Sequence, residues 1–145
     1  MTARQEAYAL IDALPDESVR ELVLIIKNMT RARYPDAKIK LDLIEKLEDN
    51  WNGNEAPAFS KKHIEKIREI VNALDCEPEV FPTAADTIQL EFDGRDGSYL
   101  EIDIPENGQG EYLCVNSKGE EKTGMIDSVP AAVSQLVRSF HGSEV

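Results

Sequence analysis

The hydrophobic period of this chain changes from helical to alternating near Leu74, and that change excludes most architectures. Before it, apolar residues recur three and four apart: Val19, Leu22, Val23, Ile26 and Met29, then Leu41, Ile44 and Leu47 with Leu43, then Ile64, Ile67, Ile70, Val71 and Leu74. That spacing lines one side of a helix. After it, Ile88, Leu90 and Phe92 alternate with Gln89, Glu91 and Asp93, and Leu100, Ile102 and Ile104 with Glu101, Asp103 and Pro105. A period of two belongs to strands with one face buried. Helices followed by strands, without the alternation of a parallel sheet, define an α+β protein: N-terminal helices, a further helix, an antiparallel four- to five-stranded meander and a C-terminal helix packed on one sheet face.

Local signals set the boundaries. Thr2 and Gln5 have capping-box spacing for a short helix from about Ala3 to Ala13, and Pro15 with Asp16 and Glu17 starts a second that runs to Arg31 or Arg33. Tyr34-Pro35-Asp36 breaks the chain before a third helix, about 37–49, and the turn-forming stretch 50–58 leads to Ser60, the cap of a fourth. Asp93 to Ser98 and Asn116 to Gly119 connect strands, Val80-Phe81-Pro82 adds a short edge strand, and Tyr112 to Val115 and Lys122 to Ile126 complete the meander. Ser128 caps the last helix, with Val133, Leu136, Val137 and Phe140 as its stripe, and the end from His141 to Val145 frays. Residues 1–36 form an N-terminal helical arm for dimerisation or partner binding, and residues 37–145 an acidic α+β domain.

The 145 residues suffice for one core, and 41 % apolar content puts the chain well outside the disordered regime. The first residues lack a secretory pattern, and the most apolar run, Leu22 to Ile26, is too short to cross a bilayer, so a cytoplasmic location is expected. Cys76 and Cys114 have no Cys or His at metal spacing and read as ordinary thiols; no metal or cofactor is expected.

The charge map is lopsided. Acidic against basic residues number 13 to 12 over residues 1–74, 14 to 3 over 75–127 and 1 to 1 over 128–145, so nearly all of the net −12 belongs to the sheet. Strict alternation puts Glu91 and Asp93 on one face with Glu101 and Asp103, away from the helices. Like charges facing across neighbouring strands cost some tenths of a kcal/mol each, roughly, so the pattern is either a solubilising surface or one reserved for a cationic partner. Direct nucleic-acid binding is disfavoured, because phosphate contact needs excess Lys and Arg, and no membrane contact is expected.

Other features admit two readings. Trp51 either plugs the core between helix and sheet or anchors a partner. The stripe Val19, Leu22, Val23 and Ile26 packs within the chain or across a homodimer built on the N-terminal helices. His63 and His141 read as lone histidines without a nucleophile motif, and Gly94-x-x-Gly97 and Gly108-x-Gly110 fall between strands, where a phosphate-binding loop does not occur. No residue qualifies as catalytic.

The opening Met1-Thr2-Ala3-Arg4-Gln5-Glu6-Ala7-Tyr8 through Leu14-Pro15-Asp16-Glu17-Ser18-Val19 resembles the helical start of small bacterial proteins from antitoxin-type operons. Trp51-Asn52-Gly53 with Ala56-Pro57-Ala58-Phe59-Ser60 is similar to small bacterial and prophage proteins of phage-defence operons. The resemblance implies a bacterial or phage source and a role in a conflict system. The expectation is a non-enzymatic, acidic protein-binding module, antitoxin-like or immunity-like, that neutralises a basic toxin through Glu91, Asp93, Glu101, Asp103, Trp51 and the Val19–Ile26 stripe. The alternatives are a phage-encoded, anti-CRISPR-like mimic of nucleic acid that inhibits a nuclease, and a small enzyme.

Overall fold

The computed structural model describes residues 1–33 and 36–142, with side chains described outside residues 27–33. Among the described residues, five helices and five strands follow in the order α1 (Ala3–Asp12), α2 (Asp16–Arg33), α3 (Ala37–Glu45), α4 (Lys61–Asn72), β1 (Glu79–Pro82), β2 (Thr87–Asp93), β3 (Tyr99–Pro105), β4 (Gly110–Val115), β5 (Glu121–Ile126) and α5 (Pro130–Gly142). The strands form one antiparallel sheet in sequence order, and the α+β class holds. The break at Tyr34 and Pro35 and the terminal Ser143, Glu144 and Val145 lie outside the described residues, and the Met29 end of the α2 stripe lies outside the described side chains.

The inner face of the sheet carries Val80, Ile88, Leu90, Phe92, Leu100, Ile102 and Ile104, all buried in one cluster with residues of three helices. α3 contributes Ala37, Leu41 and Ile44; α4 contributes Ile64, Ile67, Ile70 and Val71; α5 contributes Val133, Val137 and Phe140. Each set recurs at helical spacing, and the period change near Leu74 separates the α3 and α4 part of this core from its sheet. α3 stops at Glu45, short of the expected Asp49, because the amides of Lys46 and Leu47 turn back to carbonyls three residues away, those of Leu43 and Ile44.

Polar contacts lock the helices to the sheet. His63 is 1 % exposed, not a surface residue, and its Nε2 lies 2.9 Å from the Ile104 carbonyl, tying α4 to the end of β3. Lys66 Nζ donates to the Pro105 and Glu106 carbonyls at 2.8 and 3.1 Å, holding the β3–β4 turn. Burial lowers the pKa of this ammonium, and neighbouring Lys62 adds to the effect while Glu106 opposes it. Ser128, expected to cap α5, instead donates its hydroxyl to the Gly108 carbonyl and closes the same end of the sheet.

α1 begins with the expected capping box: Gln5 N–H donates to Thr2 Oγ1, and Thr2 N–H to Gln5 Oε1. No residue of α1 is buried. It rests on the turn after α3, where Arg4 donates to the Trp51 carbonyl at 3.1 Å. Gly53 lies there with φ +74°, and a Cβ on it would stand 3.1 Å from Gln5 Cγ and 3.2 Å from Tyr8 Cδ2. Both the left-handed backbone and the close approach of α1 therefore call for glycine.

Candidate functional site

The outer face of the sheet is the candidate site, and strand register builds it. Glu79 faces Glu91, Glu91 faces Glu101, Gln89 faces Asp103 and Asp103 faces Glu111. Alternation thus brings four carboxylates of the three central strands, Glu91, Glu101, Asp103 and Glu111, onto one surface, with Asp93 at its end. Glu101, Asp103, Glu111, Leu113, Thr123 and Met125 border an open depression of about 380 Å³. Among the described residues, no lysine or arginine lies within ion-pair distance of Glu101, Asp103 or Glu111.

The expected face is shared as the alternation requires, but its members are not equally open. Glu91, read as an exposed contact, is only 8 % exposed, because β2 is flanked on both sides and its carboxylate is engaged by Tyr99. The Tyr99 hydroxyl lies 2.8 Å from Glu91 Oε1 and 2.7 Å from Glu101 Oε2. A phenol has one proton for these two acceptors. Gln89 donates its amide to Glu101 Oε2 as well. Glu101 and Asp103 are half-buried, whereas Asp93 and Glu111 are exposed.

Electrostatics follow from this crowding. Burial raises the Tyr99 pKa far above its ordinary value, and the hydrogen bonds to Glu101 and Glu91 and their charges add to the effect, so the phenol stays protonated. Burial also raises the Asp103 pKa, followed by repulsion from Glu101, Glu111 and Glu91. Asp103 Oδ1 is buried without a hydrogen-bond partner. The surface thus offers fixed acceptors and one carboxylate that gains from a donor or cation brought from outside.

The other sequence candidates lie elsewhere. Trp51 is half-buried: it packs against the core beside Phe59, at a ring separation of 6.1 Å, and its Nε1–H donates to the Pro57 carbonyl at 3.0 Å. The same ring borders a mainly apolar groove of about 400 Å³ with Ile26, Leu43, Leu47, Phe81 and Arg4, so core support and groove wall combine in one residue. Lys40 closes the β1 side of that groove, its Nζ 3.9 Å above the Phe81 ring. Val19 and Leu22 are half-buried, while Val23 and Ile26 are exposed. The depression on the carboxylate face and the groove beside Ile26 share no lining residue.

Sequence spacing also kept Cys76 and His141 apart, yet Cys76 Sγ lies 3.4 Å from His141 Nε2. A reactive thiolate needs a lowered pKa. Here burial raises the thiol pKa, and Asp75 and Glu77 raise it further, so the pair is poorly suited to nucleophilic work. Among the described residues, no three His, Cys, Asp or Glu side chains gather as metal ligands would, and no helix is long and apolar enough to cross a membrane.

The architecture is that of an α+β protein whose sheet is covered by helices on one side and carries carboxylates on the other. No protein-family model, curated protein or solved structure matches the chain.

Proposed function

We propose that this protein is a non-enzymatic, acidic binding module that neutralises a basic partner protein, in the manner of an antitoxin or immunity protein. Its outer sheet face receives the partner's lysine and arginine side chains. The observation that carries the reading is the set Glu101, Asp103 and Glu111, three carboxylates on adjoining strands with no cation of the described chain beside them. A surface serving only solubility gains nothing from clustering like charges, which costs some tenths of a kcal/mol per facing pair, roughly. A cationic partner relieves that repulsion, accelerates encounter and fixes orientation.

Tyr99 and Gln89 support the reading by holding Glu101 in place, so that part of the ordering entropy is met before binding. The affinity should reside in Asp103, Glu111 and Asp93, with Glu91 a buried support. The test compares capture from host lysate by the wild-type chain and by an Asp93→Lys/Glu111→Lys variant, with salt titration of the complex. A basic protein held by the wild type, lost from the variant and released steeply by salt is the expected result. Competition of that complex by DNA would make the partner a nucleic-acid-binding protein such as a nuclease. Equal capture by both proteins would return the charge to solubility.

A further inference from the structure

We propose that the basic partner docks by strand addition: an extended segment of it, with lysine or arginine alternating with apolar residues, pairs antiparallel with the free edge of β5. This rests on the reading of the outer face as a site for a basic protein, and adds the edge the partner uses and the form it takes there. The two edges of the sheet differ. Asn116 N–H donates to the Glu120 carbonyl at 3.0 Å. Counted along the register from that pair, Cys114 with Lys122, Tyr112 with Gly124 and Gly110 with Ile126 share the ladder bonds. The amides and carbonyls of Glu121, Thr123 and Met125 therefore point away from β4, and β5 has no other neighbour in the sheet. All three residues are exposed, on a strand with neither proline nor a break in register. At the opposite edge, Thr83 N–H donates to the Thr87 carbonyl, and the same count leaves Val80 and Pro82 as the outward positions of β1. Val80 is fully buried and proline has no N–H, so β1 is closed to a further strand while β5 is open.

The surroundings of the β5 edge select the segment. On the outer face, Thr123 and Met125 border the depression that holds Glu101, Asp103 and Glu111, and Glu121 shares their parity. On the inner face, Met125 also borders a second depression of about 320 Å³, with Tyr112 and Ile126 of the last two strands and Ala132 and Leu136 of α5. The two depressions thus flank one edge from opposite sides. A strand added to β5 lies about 10 Å from β4, so its outer side chains extend over the short Thr123 towards Glu111 while its inner ones enter the apolar notch beside Leu136. Alternation then requires basic residues on one face of the segment and apolar residues on the other. In an antiparallel pair, residues opposite each other share a face, so the amides that bond Glu121, Thr123 and Met125 belong to the basic residues. A second copy of β5 fits this edge poorly, because it would bring its own Glu121 and Glu111 to the acidic side.

The test titrates the labelled full chain with a capped (Lys-Val)5 peptide. Binding should slow amide exchange at Glu121, Thr123 and Met125. The same peptide N-methylated on its lysines should bind about tenfold more weakly or worse, having lost the donors that face β5, whereas N-methylation of its valines should leave affinity unchanged. Thr123→Pro, which removes an outward amide and no ladder bond, should keep the circular dichroism spectrum and lose the peptide; the N-methyl pair reads the same point on the unaltered chain. Equal binding of all three peptides, or binding of deca-arginine without (Lys-Val)5, would overturn strand addition and leave the outer face a cation site. Failure of (Lys-Val)5 and deca-arginine alike would overturn both readings. A wild-type dimer mass that Thr123→Pro abolishes would overturn the proposal in favour of a second copy at this edge.

Discussion

The Tyr99 hydroxyl donates across the outer face of the sheet to Glu101 Oε2 at 2.7 Å, from a residue two positions earlier on the same strand. The same hydroxyl reaches Glu91 on the neighbouring strand. One phenol therefore braces two carboxylates that face each other directly. Tyr99→Phe keeps the ring and removes the one proton that Glu101 and buried Glu91 share. A loss of about 1–3 kcal/mol is expected from urea unfolding at neutral pH. A loss within error would show that the phenol contributes only its ring.

The Tyr99 ionisation gives an alkaline test. Its folded pKa is raised, so above the ordinary tyrosine value of 10.0 the unfolded chain releases a proton that the folded chain keeps. That contribution to stability is present below the unfolded pKa and falls as pH rises beyond it. Wild type should lose stability more steeply above about pH 10 than Tyr99→Phe. Parallel curves would contradict the assignment.

Asp103 titrates in the same sense from a lower starting point. Burial and the charges of Glu101, Glu111 and Glu91 raise its folded pKa above 3.8, so the native state holds the proton more firmly and stability falls as pH rises through the window just above that value. Asp103→Asn should therefore stabilise the protein at neutral pH, by about 0.5–1 kcal/mol on the scale of facing like charges. The gain should shrink as pH falls towards 4. Thermal melts at pH 7 and pH 4 read both; a destabilised variant at neutral pH would refute the repulsion argument.

Gly53 couples the loop of Trp51 to α1. With φ +74° and α1 side-chain atoms 3.1 and 3.2 Å from the position of a Cβ, Gly53→Ala should cost about 1 kcal/mol and loosen α1. Amide exchange read by residue should accelerate in Ala3–Asp12 while β2 and β3 stay protected. Unchanged exchange in α1 would show that its seat on the loop is not tight.

The period change near Leu74 made the class, the meander and the core-facing residues readable, because pleat and helix pitch are local properties. The exposure of the acidic face was not readable. Alternation assigns Glu91 to a face, but its burial follows from a central strand and from Tyr99, whose contact depends on register. Tyr99 and Glu111 escaped notice as site residues, although Tyr99 shares the odd-numbered parity of Glu101 and Asp103. His63 also left a signal: with Ile67 and Ile70 it keeps the four-and-three spacing of the buried face of α4. No such signal exists for Cys76 and His141, which are brought together only by tertiary packing.

The binding role of the outer face is tested most directly by NMR. Titrating the labelled full chain with a deca-arginine peptide reports where cations settle. Amide shifts should concentrate at Asp93, Glu101, Asp103, Glu111, Leu113 and Thr123 and vanish in Asp93→Lys/Glu111→Lys. Shifts spread evenly over all acidic positions of the chain, or centred on the helical arm, would contradict the account.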